Sequence, residues 1–434
     1  MQGNVIQSGS MALAKDGSYH MLLTRRDTQT DDSSARGGLA RITRVYREVA
    51  VVLLNATILF IAANVVVALG YGAGDLFRNR TGAASAPMKY KDFHPSLAGV
   101  YPDMSKEEIS QLLLDTRRIP QVYDSYTQFK EPAYKSKYVN VSPVGFRLSK
   151  NQGPWPVSGN QLTIFMFGGS TTFGYGVSDD QTIPSYLQEF LRTRTSRPVR
   201  VYNFGRCAYF SVQERIFLEK LILDGHIPDL VIFLDGLNDF VHVNGEPGYT
   251  PDLAKFMLER DVPLSRRIAL ALPLAKPFMA LPEDIEGKRG SLTANCEDVD
   301  RENSLQRVIG RYRANKEIAE SICRGFNITP LFVWQPVPLY AYDRKYHIFS
   351  EFNYNEFAPH VEPGFRLMAQ VVKSESMGDD FLWLGDMQQN LKEPVYVDAF
   401  HYNGKMSKLI AERIGTTVLE RDTLRRMHSS LMED

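Results

Sequence analysis

Four short apolar runs constrain this chain more than any other feature: LTIFMF at 162–167, VRVYNF at 199–204, LVIFL at 230–234 and LFVW at 331–334. They are runs rather than alternations of apolar and polar residues. Each therefore reads as a strand buried on both faces, as strands are in a parallel sheet covered by helices. Helical spacing fills the gaps between them. After Thr182, an expected N-cap, Ile183, Tyr186, Leu187, Phe190 and Leu191 recur on one helix face. After Ser211 the expected inward positions are Val212, Ile216, Leu218, Leu221 and Ile222. Parallel strands need crossover connections, and these are right-handed. The expectation is an α/β fold built on a doubly wound parallel sheet. Ligands bind such sheets beyond the carboxyl ends of the strands.

The chemistry-bearing residues fall at those ends. Gly168-Gly169-Ser170-Thr171 follows the first run, Asn203-Phe204-Gly205 closes the second, and Gly236-Leu237-Asn238-Asp239 follows the third. Asp398-Ala399-Phe400-His401 lies further on. A serine hydroxyl is a poor nucleophile at neutral pH and needs a base within hydrogen-bond reach. His401 is the candidate base, with Asp398 to fix its tautomer and stabilise the imidazolium. Negative charge developing on a substrate oxygen needs preorganised donors. The expected oxyanion hole is the backbone N–H of Ser170, the backbone N–H of Gly205 and the side-chain amide of Asn238. Each residue also has a plainer reading: Ser170 as a cap, Gly205 as a strand-end turn, Asn238 as a cap, His401 as a surface residue before a helix at 405–413. Asp239 reads as a local capping group and stays outside the catalytic set. Trp334 and Gln335, ending the fourth run, are placed at the pocket.

In order and content these blocks resemble the SGNH (GDSL-like) hydrolase family over roughly residues 160–420. The resemblance implies a flavodoxin-like three-layer sandwich, acyl transfer through a serine ester, and the catalytic roles just given. One position departs from the family's Gly-Asp-Ser-Leu block: Gly169 stands where its aspartate would be. That aspartate is not the triad acid, so the departure leaves the triad whole and removes only any lipase-like specificity. The stretch IFMFGGSTTFGYGVSDDQTIPSYLQEFL, with the lead-in YVNVSPVGFR at 138–147, is similar to a membrane-anchored bacterial branch. Some members of that branch remove acyl groups from extracellular polysaccharides or add them.

The N-terminal third fits that branch. Residues 49–69 (VAVVLLNATILFIAANVVVAL) carry no charge. At about 1.5 Å per residue they are long enough to cross a hydrocarbon core of about 30 Å. A cleaved signal peptide or a buried core helix are the rival readings, but this run is longer than a signal's apolar region. Arg36, Arg41, Arg44 and Arg47 precede it with only Glu48 opposing them, and Gly70, Tyr71, Gly72, Ala73, Gly74 and Asp75 follow it. The positive-inside rule then puts the N-terminus in the cytoplasm and the remainder across the membrane. The expected layout is a disordered cytoplasmic tail at 1–44, an inner-membrane single-pass anchor at 45–70, a stalk and N-terminal extension at 71–158, and a catalytic domain at 159–434, periplasmic or otherwise extracytoplasmic. Residues 244–300 exceed a simple crossover and read as a packed insertion, a lid, a partner surface or a helix near the membrane.

A net charge of +0 leaves no electrostatic footprint for nucleic acid. Three cysteines are too few for a disulfide scaffold. In an oxidising compartment Cys296 and Cys323, bracketing a helical stretch at 304–322, are expected to pair. Cys207 reads as a small buried filler. No His/Cys pair has metal-ligand spacing, so no metal and no cofactor are expected. Three functions remain: an esterase removing O-acyl groups from an extracytoplasmic glycan or glycolipid, an O-acyltransferase served by a multi-span acyl-donor protein, and a catalytically silent scaffolding module of the envelope.

Overall fold

The computed structural model describes residues 11–13, 19–21, 32–81, 97–157, 160–260, 272 and 298–432. The chain divides into two units. The first carries a helix, α1 (Asp32–Thr81), and a short antiparallel pair, Met11–Leu13 with Tyr19–Met21. Residues Gly38–Leu69 of α1 are long and apolar enough to cross a membrane, and an 18-residue stretch within them has a mean hydropathy of 2.4. The helix is apolar all round rather than on one stripe, and side chains such as Leu53, Ile58, Ile61 and Val66 are exposed. A membrane span and a signal sequence share that pattern. Polar groups inside the span bond back to their own helix: Thr57 to the Leu53 carbonyl at 2.8 Å and Asn64 to the Phe60 carbonyl at 2.9 Å. The helix starts inside the segment expected to be a disordered tail, and it runs on past the expected end of the span.

The second unit holds the expected sheet. Its strands are β1 (Leu162–Gly168), β2 (Val199–Asn203), β3 (Leu230–Asp235), β4 (Thr329–Trp334) and β5 (Phe381–Trp383). All pair in parallel, in the order β5-β4-β3-β1-β2. This is the doubly wound, flavodoxin-like order. Alternate residues of β1 serve opposite faces. Ile164 and Met166 pack with α4 (Ile183–Arg192) and α9 (Gly404–Met432), while Phe165 and Phe167 pack with α5 (Ser211–Leu223) and α7 (Asp298–Gly325). The second face carries an aromatic ladder: Phe167 stacks on Phe233 at 5.4 Å, and Phe233 on Phe332 at 5.3 Å. These rings are direct cross-strand partners. A one-residue slip would turn every one of them to the other face, so the ladder holds the register.

Two helical details separate expectation from structure. Thr182 caps α4 as expected, accepting from the Ser185 N–H. On α5 the buried set is Ser211, Gln213, Glu214, Phe217, Leu218, Leu221 and Ile222. Val212 and Ile216 lie half-buried instead, because polar Gln213 and Glu214 occupy the inner face that an apolar pattern assigns elsewhere. Strand β5 carried no sequence signal, being three half-buried residues at the sheet edge.

Residues 97–157 build part of this unit's core. Helix α2 (Lys106–Arg117) opens with a capping box between Ser105 and Glu108. Its Ile109, Leu112 and Leu113 pack with Leu97, Val100, Phe349 and Val397. Further on, Arg147 bridges to Asn203 at the end of edge strand β2. Trp155 packs against Phe146, Tyr202 and Phe204. The insertion at 244–300 is described over Thr250–Arg260, a helix with Leu253, Phe256 and Met257 exposed, and from Asp298; apart from 272, residues 261–297 lie outside the described set. Cys296 is among those residues. Cys323 is a free thiol, fully buried against the sheet. Burial pushes it up to about 12, so it is inert packing.

Candidate active site

Strand β1 ends at Gly168 and the chain turns into α3 (Ser170–Phe173), so Ser170 sits at the first position of a helix. Its backbone N–H is one of the orphan donors of a helix N-terminus. The His401 imidazole comes to it from the loop before α9, with Nε2 2.7 Å from Ser170 Oγ. On the other side Nδ1 lies 2.8 Å from both carboxylate oxygens of Asp398. Local turn chemistry makes this possible. Asp398 Oδ1 accepts from the backbone N–H of Phe400 at 3.0 Å and of His401 at 2.9 Å. This Asx turn folds the Asp-x-x-His segment back on itself. Burial pushes the Asp398 carboxyl up, but the His401 charge, its hydrogen bond and the two backbone amides outweigh that, leaving Asp398 well below the usual carboxylate range. It is ionised whenever the base must become a cation.

Asn238 lies against the nucleophile turn. Its Nδ2 donates to the Tyr209 carbonyl at 2.6 Å. A Cβ placed on Gly169 would come within 2.4 Å of that same nitrogen. Glycine at 169, the departure from Gly-Asp-Ser-Leu, is therefore what admits the Asn238 amide next to Ser170.

Gly205 does not fit its expected role. Its N–H donates to the Asn203 side chain at 3.0 Å. A Cβ there would meet the Phe173 nitrogen at 2.3 Å, so the missing side chain permits β2 to approach α3. The other amides of this loop are also occupied. Arg206 donates to the Gly168 carbonyl at 2.9 Å, Cys207 to Glu131 Oε1 at 3.0 Å, and Tyr209 to the Arg206 carbonyl at 3.3 Å. Among the described residues from Gly205 to Tyr209, the Ala208 N–H alone has no protein acceptor. Ala208 is exposed and left-handed, with φ +59. It stands between Arg206, tied to the nucleophile turn, and Tyr209, tied to Asn238. An alanine in a conformation that favours glycine has no sequence signal.

The remaining expectations sort by burial. Gln335 is buried and accepts from Thr171 Oγ1 at 2.7 Å, supporting α3. Trp334 is a fully buried core residue against Gly236 and Tyr312, and it does not line a pocket. Burial, then the nearby Glu131 charge, drives the Cys207 thiol well above its ordinary value, which makes it a poor nucleophile. Asp239 accepts from Ser211 at 2.6 Å and from the Gly236 N–H at 3.3 Å, a local capping role.

Beneath Asn238 lie three buried carboxyls, Glu214, Asp235 and Asp239, all raised chiefly by burial. Together with Gly169 and Gln335 they line a small void. As carboxylates, Glu214 Oε2 and Asp235 Oδ1 would both lack partners. A proton on Glu214 makes them a hydrogen-bonded pair. The folded state then holds protons that the unfolded chain releases above about pH 4.3, so stability falls as pH rises through that window. The melting temperature is expected to drop between pH 5 and pH 8. In Glu214→Gln, which keeps the donor and removes the titration, the drop should be smaller; equal slopes for both proteins would refute the shared proton.

No family model and no curated protein matches the chain. Solved structures resemble it at low identity. One, from Desulfitobacterium hafniense and described as lipolytic and of the G-D-S-L family, is 13% identical, with a TM-score of 0.33, covering 59% of this chain and 99% of its own. An acetyl xylan esterase is 14% identical (TM-score 0.32, 59% and 99% covered). A catalytic mutant of the acetylxylan esterase from Geobacillus stearothermophilus is 13% identical (TM-score 0.31, 59% and 93% covered). Likenesses this distant carry no functional argument; the side-chain geometry does.

Proposed function

We propose that this chain is a membrane-anchored serine esterase that removes O-acyl groups from an extracytoplasmic glycan or glycolipid. The observation that carries the reading is the continuous Ser170–His401–Asp398 chain, with heavy-atom separations of 2.7 and 2.8 Å. In the first step Ser170 Oγ bonds to the acyl carbon while His401 Nε2 takes the hydroxyl proton. The tetrahedral oxyanion is held by the Ser170 N–H, the free Nδ2 hydrogen of Asn238 and the Ala208 N–H, which replaces Gly205 in the expected trio. The ester C–O bond then breaks and His401 hands its proton to the departing alcohol. Water reverses the sequence: it attacks the acyl-serine, gives a proton to His401, and Ser170 recovers it as the acid leaves.

The exposed apolar span of α1 and the arginines before it support anchoring in the inner membrane with a cytoplasmic N-terminus. The glycan class rests on that location and on the resemblance of residues 138–147 and 164–191 to the polysaccharide-modifying branch. The test is turnover of a short-acyl chromogenic ester by the full chain in nanodiscs, with and without an oligosaccharide acceptor. Hydrolysis unaffected by acceptor supports the esterase. Acyl-oligosaccharide as the main product would instead establish an O-acyltransferase, with a multi-span acyl-donor protein as its partner. No turnover and no fluorophosphonate adduct would leave the scaffolding reading. For orientation, a reporter active only outside the cytoplasm should work when fused after Asp434 and fail when fused before Arg36. The reverse pattern would refute the topology, and a mature chain beginning near Tyr71 would show a cleaved signal.

A further inference from the structure

Tyr175 takes no part in the proton transfers above, yet it touches both halves of the site. The chain reverses after α3 at Gly174, which is left-handed at φ +93. The Tyr175 N–H then donates back to the Ser170 carbonyl at 3.1 Å. This lays the tyrosine ring over the His401 imidazole, with centroids 5.0 Å apart and planes 29° from parallel. Its hydroxyl reaches across to hydrogen-bond Cys207, the neighbour of Ala208. The ring is also walled in by Phe173, Ile119, Val139 and Val141. Below it, Arg147 grips the reversal by donating to the carbonyls of Phe173, Gly174 and Val177 at 2.8, 2.6 and 2.6 Å. The tyrosine is therefore held at its backbone, its ring and its hydroxyl.

We propose that Tyr175 is a positioning residue that fixes the His401 base and the 205–209 oxyanion loop in one geometry, through its ring face on the imidazole and its hydroxyl on Cys207. This rests on the reading of Ser170, His401 and Asp398 as catalytic. Two physical effects follow. A π face against the imidazole favours the cation that forms at the transition state, and it restricts the tilt that would lengthen the contact to Ser170. The hydroxyl–thiol bond ties the same ring to the loop carrying the Ala208 donor, so base and oxyanion donor move together. Misplacing such groups by about 1 Å costs on the order of 10²-fold in rate.

The experiment compares wild type, Tyr175→Leu, Tyr175→Phe, Cys207→Ala and the Tyr175→Phe/Cys207→Ala double variant as full chains in nanodiscs. It reads the rate of fluorophosphonate labelling at Ser170, kcat and KM for the chromogenic ester, and the melting temperature. Tyr175→Leu is expected to lower labelling and kcat by roughly 10- to 100-fold while KM stays within about threefold. Tyr175→Phe, which restores the ring, should recover most of that. Should the Leu variant fail to fold, the two conservative variants still decide: each should lose a few-fold in labelling, and the double variant no more than either single one, because both cut the same bond. Wild-type labelling and kcat in Tyr175→Leu, or fully additive losses in the double variant, would overturn the proposal alone. No labelling of wild type at Ser170 would overturn the catalytic reading and this one with it.

Discussion

Ser170→Ala is expected to abolish both fluorophosphonate labelling and ester turnover while leaving the melting temperature within a degree or two of wild type. Among the described residues the hydroxyl is the one group hydrogen-bonded to His401 Nε2, at 2.7 Å, and it can form the acyl intermediate. Removing the nucleophile from a triad of this kind costs on the order of 10⁶ in kcat. Little structural cost accompanies it, because no other hydrogen bond of the hydroxyl holds α3; the turn is tied through backbone groups such as Arg206 N–H to the Gly168 carbonyl. Asn238→Ala on the same preparation separates chemistry from architecture. Loss of one oxyanion donor lowers kcat by about 10²–10³ with KM little changed. Loss of a mere cap costs roughly 0.5–2 kcal/mol of stability and leaves turnover intact. Labelling of the Ser170→Ala protein at the wild-type rate would end the assignment of the nucleophile, and a destabilised but fully active Asn238 variant would remove that donor.

The second large effect is on stability, at a residue that touches no reacting atom. Arg147→Ala should lower the melting temperature by on the order of 10 °C. The Arg147 side chain is fully buried, pairs with Asp179 at 2.9 Å and donates to three backbone carbonyls. Removing one partner of a buried pair typically costs about 3–5 kcal/mol, out of a total domain stability of roughly 5–15 kcal/mol. Here three carbonyls lose their donor as well. Arg147→Lys should rescue little, since a single ammonium cannot replace a planar fork that serves four acceptors in fixed directions. Thermal melts of the three proteins decide this. A lysine variant as stable as wild type would show that charge, and not the fork, holds the 173–177 reversal.

These two residues illustrate what was legible. Ser170, Asp398, His401 and Asn238 could be found in the sequence because each lies in a short local motif. Glycines before the serine, an aspartate three residues before the histidine, and a buried run before the asparagine all act within a few bonds. Arg147 stood inside the lead-in noted as a resemblance, but nothing local says that its guanidinium would be buried under the turn after the nucleophile. Glu131 is similar. Its sequence neighbourhood reads as stalk and extension, yet its carboxylate accepts the Cys207 N–H across 76 positions and pairs with buried Arg206.

By itself the sequence determined the α/β class, four of the five sheet strands, the candidate residues Ser170, Asp398 and His401 that the fold brings into contact, and an apolar span preceded by arginines. Those are consequences of side-chain periodicity, chain stiffness at glycine and the reactivity of individual groups, all properties of short segments. The tertiary structure alone decided which backbone amides remained without acceptors once every long-range partner had been satisfied. That competition engages the Gly205 N–H with Asn203 and leaves the Ala208 N–H without a protein acceptor, buries the carboxyls of Glu214 and Asp235 together, and lays the Tyr175 ring on the His401 imidazole. A hydrogen bond is assigned only when both partners are in place, and here the partners come from segments dozens of residues apart.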